Sequence, residues 1–157
     1  PVGCEPIVML YEPWYATRVG IVNVVAFAAI LTVSAPLAST SPLALKPLID
    51  AGAIDRSAGI VCDAKSGVSG AGRKPSLKTS FCEVTENFSA YSILDHRHVP
   101  EVLRTSGLEE AEFSFTAQLI PIERGILETI YFRTSAAAGD LLDIYQARYR
   151  DEPFVRL

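Results

Sequence analysis

The stretch GIVCDAKSGVSGAGRKP, residues 59–75, is the most informative part of the chain. Its first residues are apolar and predict a buried strand over Gly59–Ala64. From Asp63 to Pro75 the chain then holds three glycines, two serines and three cations. That composition predicts a loop. The sequence therefore places a basic, glycine-rich loop directly after a strand of the core.

Two interpretations of this loop remain open from residue types alone. Glycine permits close backbone approach, so successive N–H groups can form a concave nest for an anion, to which nearby cations add charge. Alternatively, the segment is a solvated Gly/Ser hinge that happens to be basic. It is not a P-loop and lacks the dinucleotide pattern Gly-x-Gly-x-x-Gly. The residues concerned are Lys65, Gly67, Gly70, Gly72, Arg73 and Lys74.

The bulk composition indicates a single domain with a sizeable core. The chain has 157 residues and a net charge of −4, which argues against a generic nucleic-acid surface. Three cysteines at Cys4, Cys62 and Cys82 show no metal-ligand spacing. We expect free thiols, a reducing compartment and a cytoplasmic protein. Cys62 is expected in the core, and Cys82, beside Glu83, is expected to be inert.

Residues 1–41 differ in character from the rest. No charged residue occurs between Val19 and Leu45. The apolar run Val19–Val33 fits a transmembrane helix by hydropathy, but it fits buried strands or a buried helix equally well. A third possibility is that the segment is not native to the domain. A signal peptide fits poorly, because acidic residues precede the run.

Periodicity after residue 42 predicts an α+β fold. A helix is expected over Leu43–Ile49, and a second one is expected to start near Pro100. Glu112–Ile122 and Gly125–Thr134 alternate as strands, joined by a hairpin or a wider connection. A last helix is expected from an N-cap at Asp140. Leu141, Leu142, Tyr145 and Tyr149 would line its buried side, and residues 154–157 look like the start of a further strand.

Both histidines of the chain lie in one short segment, His96 to Glu101. Histidine titrates near neutrality, and Glu101 follows His98 by three residues, so on a helical first turn the carboxylate can orient the imidazole for acid–base work. The alternative is a polar helix start with solvated histidines. Arg124, before Gly125, is either a turn residue or a second cation facing the same anion as the basic loop.

Five blocks in order resemble the N-acetyl-gamma-glutamyl-phosphate reductase family, related to the semialdehyde dehydrogenases. The resemblance runs from about residue 43 to the C-terminus. The blocks are PLIDAGAID at 47–55, DAKSGVSGAGRKP at 63–75, EVTENF at 83–88, HRHVPE at 96–101 and PIERGIL at 121–127.

This resemblance implies a two-domain enzyme. A Rossmann domain binds NADPH, and an α+β domain, similar to the catalytic domain of glyceraldehyde-3-phosphate dehydrogenase, carries catalysis and oligomer contacts. Its sheet is expected to be mixed and largely antiparallel, with helices on one face. A cysteine thiolate attacks the acyl phosphate, phosphate leaves, and hydride from NADPH yields the semialdehyde of the arginine pathway.

Carried over residue by residue, the resemblance implies that His98 is the catalytic acid and base and that Glu101 supports it. The substrate would meet Lys65, Ser66, Arg73, His96 and Arg124. The cofactor NADP would meet Ser66, Gly67, Ser69 and Gly70. No metal is expected. The partners implied are a small acyl-phosphate substrate and further copies of the chain in a homo-oligomer, with no nucleic acid and no membrane.

The chain departs from the family pattern in three places. The Gly-Cys-aromatic-Pro-Thr segment with the nucleophile is expected just before Leu43, but residues 36–41 read PLASTS. The Rossmann fingerprint and the last cofactor-side helix are also missing. We therefore expect domain 42–157 to be incomplete at its C-terminus and inactive alone. Residues 1–41 are expected to be atypical, and one hypothesis is that they are a misread coding frame. The competing hypotheses are a non-catalytic anion-binding or oligomerisation module and a membrane-anchored form.

Overall fold

A computed structural model describes residues 18–26, 37–74, 76–136, 138–153, 155 and 157. Five strands and four α-helices alternate irregularly along these residues. The strands are β1 Arg18–Ala26, β2 Ile60–Ser66, β3 Ser89–Tyr91, β4 Phe113–Leu119 and β5 Ile126–Thr134. The helices are α1 Leu37–Asp50, α2 Phe81–Val84, α3 Val99–Ser106 and α4 Ala138–Tyr149.

The strands form one sheet in the order β1-β5-β2-β4-β3. Only the β2–β4 pair is parallel, with Ile60 opposite Phe113, and the other three pairs are antiparallel. The expected mixed, largely antiparallel sheet is confirmed. Because β2 lies between β4 and β5, the link at residues 120–125 is a wide connection across β2 rather than a hairpin.

Alternation along the strands separates a core face from an open face. The two alternating strands were predicted correctly, since the core face carries the expected residues of β4 and β5. It consists of Ile60, Cys62, Ala64, Phe113, Phe115, Ala117, Ile130 and Phe132, all buried. The open face keeps Val61 47% exposed and Tyr131 40% exposed. Helices α1, α3 and α4 pack on the core face.

Two tyrosines of α4 hold α1 at a site where its helical bonding is interrupted. Pro47 has no N–H, so the carbonyl of Leu43, four residues earlier, lacks its helical donor. The Tyr149 hydroxyl donates to that oxygen at 2.6 Å. The Tyr145 hydroxyl donates to the next carbonyl, Ala44, at 2.7 Å. A hydrogen bond that satisfies such a group typically contributes about 1 kcal/mol to stability.

A carboxyl group is buried on the core face of the sheet. Glu128 in β5 is 0% exposed. Its oxygens accept hydrogen bonds from the hydroxyls of Thr40 and Ser41 in α1, the latter at 2.9 Å, and the Cys62 thiol lies 3.8 Å away. Burial raises the pKa of Glu128 to about 7. Burial and the neighbouring Glu128 also raise the pKa of the Cys62 thiol. Cys62 therefore belongs to the core, as expected.

The helix predictions near residues 43 and 100 are confirmed, with Pro100 in the first turn of α3. The N-cap prediction at Asp140 is wrong: α4 begins two residues earlier and Asp140 lies in its first turn. Its buried side carries Leu141, Tyr145 and Tyr149, as expected, with Leu142 partly buried. Residues 155 and 157 are not in a strand, and the rest of that predicted strand lies outside the described residues.

The apolar N-terminal run contributes a strand. Residues 18–26 pair with β5 along their whole length, from Arg18 opposite Thr134 to Ala26 opposite Ile126. The transmembrane-helix interpretation is therefore wrong for these residues. The rest of the run, residues 27–33, and Cys4 lie outside the described residues. Within the described ranges no helix is long and apolar enough to span a bilayer.

Candidate active site

The predicted site residues gather toward one edge of the sheet. Because β2 and β4 are parallel, they end at the same edge, where Ser66 pairs with Leu119. The antiparallel strand β5 begins there, with Ile126 opposite Ser66. The short strand β3 also begins there, with Ser89 opposite Leu119. We call this the carboxyl edge. The basic loop leaves the sheet at this edge.

The basic loop is bonded to the connection between β4 and β5. The backbone N–H groups of Gly67, Val68 and Ser69 donate to the carbonyls of Gly125, Ile122 and Glu123 at 2.9, 2.9 and 3.0 Å. The next glycine amides, at residues 70 and 72, donate within the loop to the carbonyls of residues 67 and 69. The first amides of the loop are thus satisfied by the protein itself.

This bonding corrects both interpretations of the loop. The expected anion nest is wrong for Gly67–Ser69, because their N–H groups already have carbonyl partners. The flexible-hinge alternative is also wrong there, since three backbone bonds fix the loop. Gly67 is required for close approach instead: a Cβ at this residue would lie 2.9 Å from the Arg124 nitrogen. An anion would therefore have to be bound by side chains.

The cations predicted for the substrate are divided between two settings. Ser66 lies on the core face of β2, so its neighbour Lys65 lies on the open face. There the Lys65 amine forms an ion pair with the Asp63 carboxylate at 2.5 Å. Gln118 also donates to Asp63, at 2.8 Å. Arg73 and Arg124 are exposed beyond the carboxyl edge. Gly125, with a φ of +114°, makes the turn beside Arg124, which agrees with the turn interpretation of that pair.

His96 is packed on the core-face side of the sheet, against β4. It is 6% exposed, and its ring lies 5.1 Å from the Phe115 ring and 5.6 Å from the Tyr91 ring. Burial, followed by the charges of His98 and Arg97, lowers the pKa of His96. Its Nδ1 accepts a long hydrogen bond of 3.4 Å from the His98 backbone N–H. His96 is therefore a neutral group that supports the backbone of His98.

His98 occupies the N-cap of α3, with its ring 5.1 Å from that of His96. Its Nδ1 is buried, and no group among the described residues hydrogen-bonds to it. Glu101 donates its backbone N–H to the His98 carbonyl at 3.1 Å. Its side chain is exposed and makes no hydrogen bond to His98 within the described structure. The structure brings the two histidines together, but the carboxylate contact is not formed.

Neither described cysteine has the setting of a nucleophile. Cys62 is buried, and its thiol lies beside a carboxyl group that opposes ionisation. Cys82 is exposed, and neither sequence neighbour, Phe81 or Glu83, is a cation that would favour a thiolate. No group of three or more metal-ligating side chains is found in the described part of the chain. The described site thus contains an acid–base candidate and cations without a thiolate.

The loop residues predicted to contact the cofactor differ in accessibility. The Ser66 hydroxyl donates to the Gly67 carbonyl at 3.2 Å, so it is already engaged. The Ser69 side chain and Gly70 remain exposed next to Arg73. A whole dinucleotide is bound on a doubly wound parallel sheet, whereas the described sheet has one parallel pair among four. The described sheet therefore does not provide the fold that holds a whole dinucleotide.

The chain belongs to the semialdehyde dehydrogenase family. The sequence model described as "Semialdehyde dehydrogenase, dimerisation domain" matches residues 37–157. The match begins at Leu37, where α1 begins. It includes every predicted site residue.

Its curated relatives are named N-acetyl-gamma-glutamyl-phosphate reductase, which confirms the resemblance. The protein of Pelotomaculum thermopropionicum is 47% identical over a region covering 73% of this chain and 34% of the relative. That of Desulforudis audaxviator is 48% identical over 76% of this chain and 36% of the relative. That of Geobacillus stearothermophilus is 45% identical over 73% and 34%. The chain therefore spans about a third of the length of these relatives.

Replacing Gly67 by alanine tests the contact between the two loops. The added Cβ would meet the Arg124 backbone at 2.9 Å, so we expect the free energy of unfolding to fall by about 1–3 kcal/mol, as in overpacked cores. Gly70→Ala is the matched control, because its Cβ meets only the Ser66 hydroxyl, at 3.4 Å. Urea denaturation measures both variants. Equal stability of the two variants would contradict the close approach.

Proposed function

We propose that this chain is the catalytic α+β portion of a cytoplasmic enzyme of arginine biosynthesis. The reaction is the NADPH-dependent reduction of N-acetyl-glutamyl 5-phosphate to N-acetyl-glutamate 5-semialdehyde. The names of the relatives support the substrate. The structural observation that carries the proposal is the buried Nδ1 of His98, which has no partner among the described residues and lies at the N-cap of α3.

His98 is proposed as the group that moves the proton. Histidine is the side chain that most often transfers protons in catalysis, and no described group occupies the Nδ1 of His98. His96 supports the position of His98, since the His96 Nδ1 accepts a hydrogen bond from the His98 backbone N–H and the His96 ring packs on Phe115. Glu101 follows His98 by three residues in α3, a spacing at which helical side chains are neighbours, and its carboxylate is proposed to support the imidazole.

Side chains rather than backbone amides are proposed to bind the acyl phosphate. Arg73 and Arg124 extend from two loops that are bonded to each other, so their charges are presented at the same edge. A guanidinium group binds phosphate oxygens in a two-pronged manner. Ser66 and His96, on the core-face side, are proposed as further substrate contacts. Lys65 would have to leave Asp63 to take part.

NADPH supplies the hydride when it is bound, and the loop at Ser66, Gly67, Ser69 and Gly70 would line its reacting end.

The 157 residues are proposed to be inactive by themselves. The described residues offer neither a nucleophilic thiolate nor a support for the whole cofactor. The second candidate function, an anion-binding or oligomerisation module without catalysis, is favoured by that same observation.

A chimera distinguishes the two functions. Residues 37–157 would replace the corresponding segment of the Pelotomaculum thermopropionicum relative, which supplies the remaining two thirds of the enzyme. We expect the chimera to oxidise NADPH with N-acetyl-glutamyl phosphate. We expect His98→Gln to lower kcat by about 10²–10⁴-fold, because the proton-transfer group is lost while the shape is kept.

The control for this experiment is Glu110→Gln, an exposed residue outside the site, which should leave kcat unchanged. The 157-residue chain alone should show no NADPH oxidation. An inactive chimera that folds would favour the non-catalytic module. Full activity of the His98→Gln chimera would refute the role assigned to His98.

We also propose that the chain forms a homo-oligomer through the open face of the sheet. The matching family is described as a dimerisation domain, and the open face carries exposed Val61 and Tyr131. Light scattering should give a mass that is a multiple of the single-chain mass, and Tyr131→Glu should reduce it. Leu77→Glu, at another exposed apolar position, is the control. A monomeric wild type would contradict the proposal.

A further inference from the structure

Glu128 forms a polar cluster that the proposed reaction does not use. Its carboxyl group is completely buried between β5 and the first turn of α1. Among the described residues, three groups reach its oxygens: the Thr40 hydroxyl, the Ser41 hydroxyl and the Cys62 thiol. All three are neutral, so none of them compensates a negative charge. An isolated buried carboxylate costs several kcal/mol, and such groups protonate instead.

The charged groups of the neighbouring elements do not face this carboxyl group. In α1, Lys46 and Asp50 pair with each other at the surface. In β2, Asp63 and Lys65 pair on the opposite face of the sheet. The charged residues of α3 and α4, and Arg133 in β5, are exposed. In β1 the charged residue is Arg18, six residues before Val24, which lies opposite Glu128. These residues are Glu101, Arg104, Asp140, Asp143, Arg148, Arg133 and Arg18.

The first turn of α1 is weakly joined to the rest of its own helix. Pro42 has no N–H, so it cannot donate to the carbonyl of Ala38, and one helical bond between the first and second turns is lost. Pro47 removes another bond one turn later. The hydrogen bonds from Thr40 and Ser41 to Glu128 therefore attach this turn to the sheet. Further along, α1 is fixed independently by Tyr145 and Tyr149.

We propose that the first turn of α1 is a pH-sensitive latch, seated on Glu128 while that carboxyl group is protonated and released as it ionises. In the seated state the neutral acid can donate to one hydroxyl and accept from others without an unpaired charge. In the released state water solvates the carboxylate. The latch depends only on Glu128 and α1, so it holds whether or not the proposed reaction is correct.

The direction of the pH effect follows from proton binding. Burial raises the pKa of Glu128 from 4.5 to about 7 in the seated state, and release restores the lower pKa. Release therefore gives up a proton between these values and becomes easier as pH rises, about tenfold per pH unit. Above about pH 7 both states are ionised, and the release equilibrium levels off.

Hydrogen–deuterium exchange of the intact chain tests the latch. After correction for intrinsic exchange rates, the protection of peptides from residues 37–46 should fall about 40-fold between pH 5 and pH 7, because the change flattens as pH approaches either pKa. The β4 peptide, residues 113–119, is the internal reference and should not follow this trend. In Glu128→Gln, a neutral variant of the same shape, the protection of residues 37–46 should be independent of pH.

Glu110→Gln, at an exposed position, is the matched control and should behave as the wild type. If Glu128→Gln does not fold, the wild-type comparison of the two peptides decides the question alone. Equal pH dependence of residues 37–46 and 113–119 would overturn the proposal. A slope that persists in folded Glu128→Gln would overturn it as well.

Discussion

Three backbone hydrogen bonds between the basic loop and the β4–β5 connection organise the candidate site. They run from Gly67, Val68 and Ser69 to the carbonyls of residues 125, 122 and 123. They can form because β2 lies between β4 and β5, which brings the end of β2 beside the connection that crosses it. They also require glycine at residue 67, where the backbone of Arg124 leaves no room for a Cβ. The two loops therefore act as one rigid rim.

This rim determines what chemistry the edge of the sheet can support. Its first amides are occupied, so charge must come from the side chains of Arg73 and Arg124. The histidine pair stands on the core-face side, where Phe115 and Tyr91 hold His96 and the N-cap of α3 presents His98. Cations at the carboxyl edge and an imidazole on the core-face side are groups suited to an anionic substrate that needs a proton transferred. The arrangement agrees with the family to which the chain belongs.

Local patterns predicted the elements, and long-range contacts decided what the patterns left open. The alternation of Phe113, Phe115 and Ala117 identified β4 and its buried face, since side chains of a strand alternate regardless of its neighbours. The insertion of β2 between β4 and β5 depends on pairing between distant residues, which periodicity does not contain. The anion-nest prediction was wrong for a related reason: the amides of Gly67, Val68 and Ser69 bond to carbonyls about 55 residues further along the chain. The sequence does mark Glu128, because it is an acidic residue on the apolar side of an alternating strand.

Amide exchange of Gly67, Val68 and Ser69, measured by NMR on the intact chain with and without inorganic phosphate, tests the central claim most directly. The three amides should be strongly protected, because each is bonded to a carbonyl within 3.0 Å. Phosphate should leave their protection and chemical shifts unchanged while it perturbs the side-chain resonances of Arg73 and Arg124. Rapid exchange of these amides, with protection gained on adding phosphate, would contradict the account and restore the backbone nest.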